Sequence, residues 1–432
     1  MRTPYFKFNT LILVCLIAAV FVIQLLNYLV GRLDEGTLPM GRLVFGLSVY
    51  GSLALLYWRN HWLPRVWTNR WVLMYCGYII LSFLYGLKRY GTITTSIFDL
   101  WLFMFIPAIA LIPPFSFNVK VFDRMLALGV LFAIVSTSVV AASNMGVLYD
   151  RALFSFYIAP LTFFGAGAGY LLLKNAKHVN IYTYVGLLGV LSNAVLYGVV
   201  GAFRGQMILS ILLILLFLMI QFRTIYIDFG WKFLSFIGLA VGLVFAVLVV
   251  WTSFQDQMYT VLGRFTNIFD VFAKTGEAAS ADARLGEMQY FMQMNPSWKL
   301  ILGHGVGGLW YDFHGMFGEA SGGTFAGART MLHLNWLHIV FKIGIVGFGL
   351  MIGPLVHNYR QYRMLIKGNY AWWAFLVFYL AWTTYYGDKV LDPRSMIYLI
   401  VLIHPWLFLP AERPPLPRHN HGEGRGGRYP RR

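Results

Sequence analysis

The stretch ARTMLHLNWLHIVFKIGIVGFGLMIG, Ala328 to Gly353, carries Arg329, His333 and His338 straight into an apolar run with a single charge, Lys342. About twenty predominantly apolar residues suffice to cross the hydrocarbon core of a bilayer as a helix. The run therefore reads as a membrane span, with His333 at the water–lipid boundary and Lys342 near its middle. A lysine at that depth costs about 2.5–3.5 kcal/mol on insertion scales, so it is expected to face the bundle interior and a partner there. On a helix, Arg329 and His333 lie four apart, as do His338 and Lys342, so each pair can share a face.

The rest of the chain agrees with a membrane setting. Of 432 residues, 59% are hydrophobic and 12% charged, which is the balance of a polytopic membrane protein. Apolar runs near 10–30, 40–57, 71–87, 97–114, 125–142, 152–173, 181–201, 205–222, 233–252, 334–356, 371–387 and 395–410 predict about 12 transmembrane helices, an all-α fold. The first run follows Arg2 and Lys7 without a small-residue cleavage site, so it is read as an uncleaved span. Most short-loop Lys and Arg fall on one side of this arrangement if both termini are cytoplasmic. The net charge of +17 then marks inner loops rather than nucleic acid. The expected divisions are residues 1–252 with nine helices, a large periplasmic loop at 253–333, three helices in 334–410, and a basic, disordered cytoplasmic tail at 411–432. Cys15 and Cys76 both sit in apolar runs and offer neither a disulfide framework nor a metal cluster.

Three outward places gather groups suited to an anionic substrate. In GVVGAFRGQMIL, Arg204 stands among Gly198, Gly201 and Gly205, which permit a broken helix; it reads either as a ligand group or as an arginine snorkelling to lipid phosphates. In ADARLGEMQYFMQMNPSWKLILGHGVGGLW, Leu285, Met288 and Met292 recur at helical spacing, Asp282 can cap, and Asn295-Pro296 ends an amphipathic helix expected from about 283 to 294. Arg284 lies in its first turn, where a cation opposes the helix dipole unless an anion is present; Asp282 or a bound phosphate fills that role. The GHGVGG that follows fits neither a dinucleotide fingerprint nor a P-loop and reads as a glycine turn. The third place is the opening stretch, where a neutral imidazole at His333 can accept a proton from a sugar hydroxyl or simply bond backbone.

Together these segments resemble the O-antigen ligase and polymerase family, the Wzy-type membrane glycosyltransferases of surface polysaccharide assembly. The family pattern is a histidine, usually followed by Asn, then nine residues, a Gly, two residues and another Gly. His333, Gly344 and Gly347 keep that spacing, with Leu334 in place of the Asn and Lys342 where many members carry an acid. Arg284 matches the loop arginine before Asn-Pro and the glycine turn, and Arg204 matches a Ser-Arg-Gly segment with Phe203 in place of Ser. The resemblance covers about residues 195–353.

It implies a GT-C-like enzyme of the bacterial inner membrane that uses an undecaprenyl-pyrophosphate-linked oligosaccharide and no cofactor or metal, by inverting transfer at the periplasmic face. Under it, Arg204, Arg284 and Arg264 hold the pyrophosphate, His333 orients or deprotonates the acceptor hydroxyl, and Trp298, Trp310, Tyr311 and Phe313 stack on sugars or anchor the loop at the interface. Membrane lipids, a flippase and chain-length or export proteins are the implied partners. The expected function is polymerisation of repeat units into an exopolysaccharide, of the xanthan type, or an O-antigen. The alternatives are a ligase acting on lipid A core or protein, and a precursor transporter, for which Lys342 is the one favouring feature.

Overall fold

The computed structural model describes residues 8–15, 38–60, 70–91, 93–110, 117–143, 163–200, 204–225, 288, 291–293, 297–311, 328–329, 335–366 and 368–385. These are mostly helical. In chain order they form α1 (Leu38–Arg59), α2 (Arg70–Tyr90), α3 (Ile93–Ala110) and α4 (Val119–Ser143). Then come a π-helical turn at Phe163–Ala168 running into α5 (Gly169–Lys174), α6 (Ile181–Ser192) continuing as a π-helix over Asn193–Val200, and α7 (Arg204–Ile225). After these stand the short α8 (Ser297–Leu302), α9 (Asn335–Ile366) and α10 (Tyr370–Tyr385). A two-residue antiparallel pair, β1 (Trp310–Tyr311) with β2 (Ala328–Arg329), is an addition to the all-helical expectation. The expected spans at 233–252 and 395–410, most of that at 10–30, and the tail lie outside the described residues.

Among the described residues, two helices, Arg70–Tyr90 and Trp336–Gly353, are long and apolar enough to cross a membrane. The α2 helix explains why composition, not amphipathicity, carries that signal. Val72, Tyr75, Ile79, Ser82 and Gly86 are buried, a three-four spacing that keeps one stripe against the bundle. Its other faces present Leu73, Met74, Ile80, Leu81 and Leu84, so the helix is apolar all round. A surface helix in water keeps polar residues on the outer face; one hydrophobic on every side belongs in a core or in lipid.

Tyrosine hydroxyls pin this bundle through backbone carbonyls. Tyr50 and Tyr57 of α1 donate to Trp101 and Ala108 of α3. Tyr75 of α2 donates to the Phe103 carbonyl at 2.9 Å. That last bond has a cause in the sequence: Pro107 lacks the N–H that would bond the carbonyl four residues earlier, and the Tyr75 hydroxyl takes its place. The α6 start is equally local, because the Asn180 side chain accepts from the Tyr182 and Thr183 N–H groups while Thr183 Oγ1 accepts from the Asn180 N–H, a capping box. Asn193, where the π-helix begins, donates to Ser210 of α7 at 2.8 Å, tying the two antiparallel segments together in the interior.

The feature that positions the site is the break in α9. Gly344 has φ 67° and ψ 178°, a backbone region that essentially only glycine enters. A Cβ there would also run into the Ile301 carbonyl and the Gly303 amide. Gly344→Ala is therefore expected to lower the yield and thermal stability of folded protein, with strain of roughly 1–3 kcal/mol before the clash is counted. Gly349→Ala, one helical turn on and with open space around it, is expected to be neutral or mildly stabilising. Thermal melting of the two purified variants checks both.

Candidate functional site

Sequence LGHGVGGLW, Leu302–Trp310, leaves α8 and turns back into the bundle. Its glycines leave a run of backbone N–H groups without side-chain cover, and the position of each is set by where its hydrogen bond goes. Gly303 closes the last turn of α8 on the Lys299 carbonyl at 2.7 Å. The His304 and Gly305 amides donate to the Phe341 and Lys342 carbonyls at 2.7 and 2.9 Å. These carbonyls are open because the break at Gly344 interrupts the helical ladder of α9. Val306 donates to Ser82 of α2 at 3.2 Å, and Gly307 to the Asp99 carboxylate of α3 at 2.9 Å. Tyr78 of α2 reaches the carbonyls on both sides of the junction, Leu302 at 2.7 Å and Ile343 at 2.9 Å.

The turn can enter this deeply because Gly305 meets Gly86 of α2 backbone to backbone, with no room for a Cβ on either. Beneath it lies an ion pair. Lys342 Nζ stands 2.6 Å from Asp99 Oδ2 and 2.7 Å from the Gly308 carbonyl. Its side chain is wholly buried and that of Asp99 is 6% exposed. One carboxylate oxygen thus binds both the lysine and the Gly307 amide, so α3, α9 and the glycine turn share a single charged node. The partner that the sequence required for Lys342 is Asp99.

His304 lies beside this node. It stacks on Phe341 at 4.4 Å, Phe341 in turn meets Phe291, and Tyr90 Oη lies 2.9 Å from His304 Nδ1. Burial, then the charges of Lys299, Arg89 and Lys342, push the His304 imidazole down to about 3, so it is neutral at physiological pH. Burial and the neighbouring Arg89 likewise hold Lys299 below the usual lysine range.

The expected site residues fall as follows. Arg204 is the first residue of α7, and the π-helix before it ends at Val200; Gly201 lies outside the described residues. Trp298 lies on α8 and is exposed, beside Lys299, whose ammonium stands 5.6 Å from its ring centre. Trp310 pairs with Arg329 and Tyr311 with Ala328, so the small sheet brings the exit of the glycine turn to the segment that leads to His333. Arg264, Arg284, Phe313 and His333 itself lie outside the described residues. Of the amphipathic helix expected at 283–294, positions 288 and 291–293 are helical; Phe291 is buried, whereas Met292, expected on the apolar face, is exposed. Sequence reasoning passed over Asp99, Ser82, Tyr78, Tyr90 and His304. Asp99 was discoverable, because an acid inside an apolar run is the natural counterpart of a lysine inside another.

No protein-family model matches the chain, and no curated protein matches it significantly.

Removing one member of a buried ion pair strands the other charge, at a cost of about 3–5 kcal/mol. Asp99→Ala is therefore expected to destabilise the chain sharply, and adding Lys342→Met is expected to recover part of the loss, read by thermal melting of the single and double variants. A second expectation concerns pH. The His304 value lies below its ordinary 6.5, so the unfolded chain takes up the proton first. Stability from this group is intact above about pH 6.5 and falls as the pH drops toward 3, by about 2 kcal/mol at pH 5. His304→Gln should flatten that part of the stability–pH curve, and an unchanged curve would remove His304 as its source.

Proposed function

We propose that the chain is a membrane glycosyltransferase that polymerises lipid-linked oligosaccharide repeat units at the outer face of the bacterial inner membrane. The observation that carries the reading is the docking of the glycine turn on the α9 break: His304–Gly308 bonds Phe341, Lys342 and Asp99 next to Gly344. Gly344 is a glycine of the histidine-and-glycine spacing, and the turn follows the Asn-Pro of the other segment that resembles Wzy-type enzymes. Two stretches that carry the resemblance, with Gly308 and Lys342 34 positions apart, thus form one packed unit. Among the described residues, the helices around this unit include the two long and apolar enough to cross a membrane.

In this reading the acceptor hydroxyl oxygen attacks the anomeric carbon of the donor sugar, the bond from that carbon to the phosphate oxygen breaks, and the electron pair leaves with the undecaprenyl pyrophosphate. Arg204 and Arg284, with Arg264, hold the pyrophosphate and the charge it gains. His333 orients the acceptor and receives its proton. The docked turn holds α9 at Phe341 and Lys342. In this reading Lys342, bonded to Asp99 and to the Gly308 carbonyl, serves to anchor the turn.

Deleting the gene should leave single repeat units on the carrier lipid and no long polymer, as read by gel and mass spectrometry. Long polymer retained on the carrier would identify a ligase instead, and units trapped on the cytoplasmic leaflet a transporter. Arg204→Ala, Arg284→Ala and His333→Ala should each abolish polymer while the protein stays in the membrane. Arg204→Lys should also fail if the arginine clamps phosphate through two parallel hydrogen bonds.

A further inference from the structure

Beside the glycine turn, two helix ends carry cations. Arg89 is exposed in the last turn of α2, and Lys299 in the last turn of α8 is half-buried. Arg89 is held by Tyr85, whose hydroxyl accepts from Nη1 at 2.9 Å, and by the Tyr90 ring, 5.3 Å from its Cζ. Tyr90 in turn holds His304, and the Gly303 amide holds the Lys299 carbonyl, so both cations are anchored to the same turn. A helix C-terminus carries roughly half a negative charge, which offsets only part of each cation.

The described residues contain two carboxylates, Asp99 and Asp123. Asp99 is committed to Lys342 and Asp123 to Lys174, which binds it at 2.7 Å while Tyr170 donates to it at 3.0 Å. Neither serves Arg89 or Lys299. The Tyr90 ring under Arg89 bonds His304, and the neighbouring Gly303 amide bonds the Lys299 carbonyl, so both cations flank one turn with their positive charge uncompensated among the described residues. Around them stand Trp298, Tyr85 and Leu84, exposed apolar and aromatic surface suited to a lipid chain or a sugar ring.

We propose that Arg89 and Lys299, set around the His304 turn, bind the phosphate of a membrane lipid at the outer end of α2. A guanidinium with most of its five donors unused, beside an ammonium, matches the spread oxygens of a phosphate or diphosphate. The apolar flank of α2 runs directly below it for the lipid tail. The phosphate belongs either to a polyprenyl-diphosphate carrier, which would make this a docking point for the donor or acceptor lipid and rests on the function proposed above, or to a bilayer phospholipid.

The test is native mass spectrometry of the full-length protein titrated with farnesyl pyrophosphate, phosphatidylglycerol and inorganic pyrophosphate. Arg89→Gln with Lys299→Gln should weaken binding of at least one lipid at least about tenfold, the usual scale for losing hydrogen bonds to a charged group. Arg89→Lys, which keeps the charge, should weaken it by much less. Selective loss of farnesyl pyrophosphate identifies the carrier, and equal loss of phosphatidylglycerol identifies the bilayer. Inorganic pyrophosphate binding as tightly as farnesyl pyrophosphate would overturn the lipid assignment. Unchanged binding in the double variant, or an equal loss in Lys88→Gln, would overturn the site. Because the readout is binding, its failure leaves the polymer phenotype of the gene deletion untouched, and a failed phenotype leaves the binding result standing.

Discussion

The interaction on which the rest of this arrangement depends is the Lys342–Asp99 pair. A buried charge is tolerated only when its partner and its remaining hydrogen bonds are in place. Here the lysine needs the Gly308 carbonyl as well as the carboxylate, and the carboxylate takes the Gly307 amide as well as the lysine. The glycine turn is thus the third member of the pair, and this accounts for its depth. It also accounts for the break in α9, since an unbroken helix would keep the Phe341 and Lys342 carbonyls for itself and leave the His304 and Gly305 amides unbonded in the interior.

The same accounting governs the remainder of the bundle. Several polar groups in the interior are matched with one another: Lys174 and Tyr170 with Asp123, Asn193 with Ser210, tyrosine hydroxyls with the carbonyls of α3. Outside, α2 and α4 present leucine, methionine and phenylalanine. This distribution suits a solvent that offers no hydrogen bonds, in which an unmatched polar atom is costly and an exposed leucine is not. Close helix contact then falls to small residues. Gly186 and Gly189 of α6 lie against Ala168, where a larger side chain would push the π-helical turn away.

Next to the charged node, His304 stacks on Phe341, and its amide bonds the Phe341 carbonyl. At the node a lysine is neutralised inside the protein by Asp99. Arg89 and Lys299 have no carboxylate partner among the described residues and stand beside the exposed rings of Tyr85 and Trp298.

Helix in the described parts of the apolar runs, and the inward burial of Lys342, were legible because each follows from local composition: apolar length and the cost of a charge in hydrocarbon. The exact partner was not. Asp99 and Lys342 are 243 positions apart, and a single sequence carries no information on which of its helices will be neighbours. Likewise GHGVGG read only as a turn, because its chemistry lies in backbone amides, which are the same in every residue, and not in side chains. By itself, the sequence determined an apolar helical chain with a few buried charges that had to be paired. The tertiary structure decided how, by breaking α9 at Gly344 and feeding the glycine turn into the gap, where backbone hydrogen bonds that no local pattern records could be completed.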